Sequence, residues 1–185
     1  MQPAAPRLIA IGGPSGSGKT TLALALGAEL GRAPGARSIH TDALRKRIFG
    51  VAPTVRLEAD AYAPEVSARV YESQREIAAA LLRDGCTTIV DGVFARPQER
   101  DAVAELARSV RVPFVGLWLA APEETLRSRV RARRGDMSDA TLAVIESQIH
   151  AGTGDIDWTR VDAGGTAALT LERAREALAQ TSAVT

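Results

Sequence analysis

The stretch Gly13-Pro14-Ser15-Gly16-Ser17-Gly18-Lys19-Thr20 decides the reading of this chain. It fits the pattern G-x-x-x-x-G-K-[ST], a loop whose glycines let successive backbone N–H groups curl inward around a phosphate. The apolar run Leu8-Ile9-Ala10-Ile11 precedes it, short and dense enough for a buried parallel strand. Thr21-Leu22-Ala23-Leu24-Ala25-Leu26 follows and is rich in helix formers. Strand, glycine loop and helix in that order are the context the motif needs, because the new helix adds its positive end to the cradle. Gly13, Pro14, Ser15, Gly16, Ser17, Gly18, Lys19, Thr20 and Thr21 are therefore the expected binding residues for a nucleoside triphosphate, taken as ATP. Lys19 is placed to reach the β- and γ-phosphates, and the Thr20 hydroxyl to ligate Mg²⁺.

Outward from the loop, strand and helix patterns alternate to the end of the chain, which predicts an α/β fold with a doubly wound parallel sheet covered on both faces. Strands are expected at 7–11, 37–41, 87–90, 114–119 and 159–161. Helices are expected from the loop to 30, then at 43–49, 64–84, 97–109, 122–134, 138–150 and 169–179. Residues 50–63 carry Pro53, run up to Pro64 and show no clean period, and read as a loop over the site. The whole of 1–185 reads as one domain, with an acceptor-side loop at about 42–63 and a lid at about 122–150.

Composition bounds the class. Hydrophobic residues at 45% and charged residues at 24% are ordinary for a globular chain, and a formal net charge of +1 supplies no general drive toward nucleic acid or membrane. Cys86 has no second cysteine to pair with and reads as a small buried residue. No apolar run approaches the length of a membrane span, and residues 1–7 lack the features of a signal peptide, so a cytoplasmic protein is the default expectation. His40 and His150 are too far apart in sequence to suggest a metal site.

Ligands of open α/β sheets bind at the carboxyl ends of the strands. Asp42 follows the second predicted strand and Asp91 the third. Asp42 can accept the proton of an attacking alcohol or bind substrate, or it can cap the helix that follows. Arg45, three positions on, can hold an anionic part of the substrate. Asp91 stands where a Mg²⁺-holding acid is expected, with substrate contact or a simple Asp-Gly turn as alternatives. Arg127, Arg129, Arg131, Arg133 and Arg134 lie on one predicted helix, where a mobile basic lid can stabilise the charge of a transferring phosphoryl group. Arg127 and Arg131, on one face, are the first candidates, and 135–136 the bend of the lid. The loop after the last strand, 162–165, is a positional candidate for the wall of a purine pocket.

In the order of these elements the chain resembles the predicted small P-loop kinases of the AAA_33 type, often fused behind an aminoglycoside-phosphotransferase-like domain in bacteria. The Arg45-Lys46-Arg47-Ile48-Phe49-Gly50-Val51 run and the Ser138-Asp139-Ala140 element carry its more specific parts. It is more distantly similar to gluconate kinase, chloramphenicol phosphotransferase, zeta toxins and polynucleotide kinase. The resemblance implies sheet order 2-3-1-4-5, Asp42 as the base toward an acceptor hydroxyl, Arg45 in the place of a phosphate-binding arginine, and lid arginines on the ATP phosphates. It does not name the acceptor. A small-molecule alcohol (a sugar, antibiotic or nucleoside-like molecule) is the expected partner. A polynucleotide 5′-hydroxyl is the alternative, though no basic-aromatic stripe supports it, and a nucleotide-driven switch without an acceptor is a third reading. The oligomeric state stays open.

Overall fold

Leu8–Gly12 forms β1, buried at every position, as a strand covered on both faces must be. In the computed structural model, which describes residues 5–132 and 142–182, it is the middle of a parallel sheet. β2 (Arg37–His40), β3 (Thr88–Asp91), β4 (Phe114–Ala120) and β5 (Thr159–Asp162) complete the sheet in the order β2-β3-β1-β4-β5. Among the described residues the helices are α1 (Lys19–Glu29), α2 (Thr41–Ile48), α3 (Pro64–Arg83), α4 (Pro97–Ser109), α5 (Glu123–Ala132), α6 (Leu142–Ala151) and α7 (Ala167–Ser182). The expected doubly wound architecture and strand order are both found.

Alternation along β1 builds two cores, one on each face of the sheet. Leu8 and Ala10 pack with Val70, Val90, Phe94, Trp118 and Trp158 on the side of α3 and α4. Ile9 and Ile11 pack with Leu22, Leu26, Leu117 and Leu178 on the side of α1 and α7. Each fully buried Leu or Ile contributes roughly 1.5–3 kcal/mol, enough to hold the strand that launches the phosphate loop. A third, smaller cluster of Leu126, Val130 and Ile145 joins α5 to α6. Trp158 is buried against Phe94 and Phe114, and a Cβ on Gly116 would overlap its ring, so this tryptophan anchors the loop before β5.

Two boundaries differ from the sequence pattern. β2 stops at His40, because its register pairs His40 with Asp91, the last residue of β3, and no partner remains for Thr41. Thr41 and Asp42 therefore already belong to α2. The expected loop at 50–63 contains a 3-10 turn, Ala59–Tyr62. The expected lid bend at 135–136, the Ser138-Asp139-Ala140 element, Arg133 and Arg134 lie outside the described residues. No helix among the described residues is long and apolar enough to cross a membrane.

Candidate active site

Register gathers the site. Asp91 sits between Ile11 of β1 on one side and His40 of β2 on the other. The phosphate loop leaves the sheet two residues after Ile11, and Asp42 stands two residues after His40. The chain leaving β3 continues along the loop, since Gly92 N–H donates to Ile11 O at 3.2 Å and Gly13 N–H to Val93 O at 3.3 Å. Three sequence-predicted features thus meet at one carboxyl edge.

The loop is shaped for a phosphate by its backbone. Gly13 and Gly16 take φ of +138° and +87°, and a Cβ would lie 2.6 Å from Leu119 O in the first case and 2.9 Å from Leu126 O in the second. No side chain caps α1, whose N-cap is Gly18, and its first turn carries no acid, so its N–H groups are open to an anion. Ser17 Oγ is buried with no hydrogen-bond partner among the described residues. Lys19 Nζ donates to Pro14 O at 3.0 Å, folding the amine across the loop. These residues fit a nucleotide's phosphates. Thr20 follows in α1 as the hydroxyl that would meet a divalent cation. No group of three or more His, Cys, Asp or Glu side chains placed to hold a metal ion is found among the described residues.

The two acids have different surroundings. The N-cap of α2 is His40, so Asp42 stands in the first helical turn and not at the cap, removing the capping alternative. Asp91 is buried and its Oδ2 lies 2.6 Å from Nδ1 of His40. Burial alone would lower the His40 pKa, but the hydrogen bond to Asp91 and the charges of Asp91 and Asp42 outweigh it and hold the imidazole above its ordinary value. Gln74, fully buried on α3, donates from Nε2 to Ile39 O at 2.9 Å and Asp91 O at 2.8 Å, tying the two strand ends together. Tyr71 O–H accepts from Phe94 N–H at 2.9 Å, and Phe94 is held at φ +49°, a conformation bulky residues avoid.

Arg45 points inward. It is buried, donates to Ala61 O at 2.5 Å and Ser67 Oγ at 3.3 Å, and stacks 4.6 Å from the Tyr62 ring centroid. Its neighbour Lys46, also buried, donates to Pro53 O at 2.7 Å. Together they pin the 50–63 segment to α2. Arg100, 2% exposed, donates to Phe94 O, Ala95 O, Thr153 O and Asp155 O at 2.8–3.1 Å, joining the β3–α4 segment to the loop before β5.

The arginines of α5 divide. Arg127 bridges Glu123 on its own helix and Glu146 on α6, at 2.6 Å to each. Arg131 is exposed at the end of the helix. Arg129 reaches the other way, donating to Ala163 O at 2.8 Å and Gly165 O at 2.5 Å. It lines a cleft of about 620 Å³ with Gly16, Gly18, Thr21, Thr166 and Leu171, beside the loop proposed from sequence for a purine pocket. On the other side of the phosphate loop lies a cleft of about 340 Å³, walled by Pro14, Val93, Ala95, Trp118, Leu126, Gln148 and Thr153. Gln148 of α6 touches the loop itself: its Oε1 accepts from Ser15 N–H at 2.9 Å and its Nε2 donates to Ser15 Oγ at 3.2 Å. His150 is exposed and its Nδ1 lies 2.7 Å from Glu146 O of its own helix.

The AAA_33 family model, described as an AAA domain, matches residues 8–152. The chain belongs to this family. An uncharacterized protein of Mycobacterium tuberculosis H37Rv is 35% identical over 171 residues, 89% of this chain and 33% of that protein, so the chain spans about a third of the length of the curated relatives it matches. Among solved structures, a sugar kinase from Janibacter sp. HTCC2649 superposes with a TM-score of 0.65 at 25% identity, covering 94% of this chain and 95% of that one. A gluconokinase from Sinorhizobium meliloti 1021 superposes with a TM-score of 0.63 at 23% identity, covering 95% and 93%. The fold of this AAA_33 chain is that of the small P-loop kinases, and the family implies nucleotide binding.

The sequence pattern missed Gln74, Arg100 and Gln148, ranked Arg129 behind Arg127 and Arg131 among the lid arginines, and gave His40 no place in the site. A signal existed for three of them. Gln74 falls on the buried face of Val70, Tyr71 and Ala78, and Arg100 on that of Val103 and Ala107. Gln148 stands one turn after the fully buried Ile145. A polar residue on an apolar helical stripe must find buried partners, and each of these did.

Proposed function

We propose that this protein is an ATP-dependent phosphotransferase that moves the γ-phosphoryl group to an alcohol of a small molecule. The observation that carries the reading is the juxtaposition at one sheet edge of a complete phosphate loop and Asp42, with a cleft on each side of the loop. The loop and Lys19 would hold the triphosphate, with the base on the Arg129 side. Mg²⁺, when bound, would spread charge over the phosphates, with Thr20 and Asp91 as the residues nearest that duty. Asp42 would orient the acceptor hydroxyl and take its proton as the alcohol oxygen bonds to phosphorus and ADP leaves. Arg131, exposed at the end of α5, would bring positive charge over the transferring group from the lid, joined by Arg127 on leaving its bridge to Glu123 and Glu146.

The Pro14-side cleft is read as room for the body of the acceptor, although neither Asp42 nor any residue of the 50–63 segment is among its described lining. Its described lining is mostly apolar, with Glu123 as its charged side chain. That lining suits an uncharged alcohol with an apolar body better than an anionic sugar acid. Arg45 is already engaged with Ala61 and Ser67, which weakens the reading in which it grips a polynucleotide phosphate. A panel of sugars, sugar acids, aminoglycosides, aryl-bearing antibiotics and nucleosides, with a 5′-hydroxyl oligonucleotide alongside, tests this by ATP consumption. Stimulation by a neutral small alcohol is expected. Stimulation by the oligonucleotide alone would move the acceptor class, and turnover no higher than in water with every acceptor would favour a nucleotide switch.

A further inference from the structure

The contact between α6 and the phosphate loop has a chemical direction. Ser15 N–H can only donate, so the Gln148 atom 2.9 Å from it must be the amide oxygen, and the atom 3.2 Å from Ser15 Oγ is then the NH₂ group. That NH₂ donates to the serine oxygen. With a lone pair of Ser15 Oγ taken, the hydroxyl proton is left to point elsewhere. Ser15 N–H, meanwhile, is held by the amide oxygen of Gln148 on α6. Ser15 is 8% exposed and stands within the 13–20 loop read as the triphosphate site. It adjoins Pro14, whose carbonyl holds the Lys19 amine, and that amine is the group that reaches the β- and γ-phosphates.

We infer that Gln148 is a positioning residue that fixes the Ser15 hydroxyl as a hydrogen-bond donor to the terminal phosphate, making the loop selective for a triphosphate over a diphosphate when α6 is docked. The inference rests on the reading of residues 13–20 as the triphosphate site. The direction of donation matters because a hydroxyl free to rotate can equally present lone pairs to an anion, which repel it. Holding one lone pair from behind removes that option before the nucleotide arrives. Gln148 also sits on the lid element that Arg127 ties to α5, so the same contact reports to the loop whether α6 is in place.

The experiment measures binding of the Mg²⁺ complexes of AMP-PNP and ADP to the wild-type chain, Gln148→Met, Ser15→Ala and the double variant, with thermal melts of each. Methionine keeps the length of the side chain without the amide. Gln148→Met is expected to lose roughly ten- to a hundredfold in AMP-PNP affinity, the usual worth of a hydrogen bond to a charged group, while ADP changes less than twofold. Ser15→Ala should show the same split, and the double variant should be no worse than either single one, because the two residues act through one hydroxyl. Unchanged AMP-PNP affinity in Gln148→Met overturns the inference. So do equal losses for the two nucleotides with a lowered melting temperature, which mark a merely structural contact, and so do additive losses in the double variant. If Gln148→Met does not fold, Gln148→Leu takes its place and decides by the same split between nucleotides. A wild-type chain that binds neither nucleotide overturns the site reading itself, an outcome distinct from all of these.

Discussion

The two halves of the candidate site are built differently. The donor half is continuous in sequence: residues 13–20 supply the curl, the amine and the helix end, and neighbouring elements need only make room at Gly13 and Gly16. The half read as the acceptor side is assembled from segments distant in sequence, most of them irregular. Arg45 and Lys46 draw in the 50–63 segment, Gln74 binds the ends of β2 and β3, and Arg100 ties the β3–α4 segment to residues 153 and 155. In each case a long polar side chain on a helix is buried and donates to at least one main-chain carbonyl. Irregular segments carry carbonyls that no ladder satisfies, and buried donors from a rigid helix are one way to hold them in place. The lesson is that the phosphate side is encoded by local backbone, and the acceptor side by long-range side-chain bonds.

Variants can break this contrast, beginning with the largest expected effect. Asp42→Asn should slow phosphoryl transfer roughly 10²–10⁴-fold while leaving ATP affinity nearly intact, since it touches only the proton of the acceptor; transfer at the wild-type rate, measured with an acceptor from the panel, would remove Asp42 from the chemistry. Lys19→Met should cost about 10²–10³ in turnover and also weaken triphosphate binding, marking the donor half as the place where binding and catalysis share one group. Arg100→Met leaves four carbonyls without their donor, and a loss of about 3 kcal/mol in urea denaturation is expected. A loss below about 0.5 kcal/mol, the range of ordinary surface changes, would show that the irregular segments hold themselves. Arg45→Met should raise the acceptor KM about tenfold with the ATP KM unchanged, because a loosened 50–63 segment misplaces only one substrate. Equal rises in both KM values would erase the division between the halves.

Much of the fold was legible because its signals are local. Leu8-Ile9-Ala10-Ile11, Pro64 at the start of α3 and Pro97 at the start of α4 carry their reading in neighbouring residues. The end of β2 was not legible, since it depends on where β3 stops beside it. Asp42 could be placed near the site, but that His40 and not Asp42 is the N-cap of α2 follows from that same pairing. The five arginines looked alike in sequence. Tertiary contacts sent Arg127 to Glu146 and Arg129 to the carbonyls at 163 and 165, on another side of the helix.

What the sequence determined by itself is the phosphate loop with its flanking strand and helix, the alternation that makes a doubly wound sheet, and the family to which these belong. A run of eight residues specifies its own backbone, because glycine torsions and the helix terminus are properties of adjacent residues. Only the tertiary structure decided which polar side chains frame the site and which merely hold it together. His40 against Asp91, Gln74 under two strand ends, Arg45 beneath the 50–63 segment and Gln148 on Ser15 join residues 16 to 133 positions apart. A buried polar group takes the partner that packing brings to it, and packing is set by the sheet and not by the neighbours in the chain.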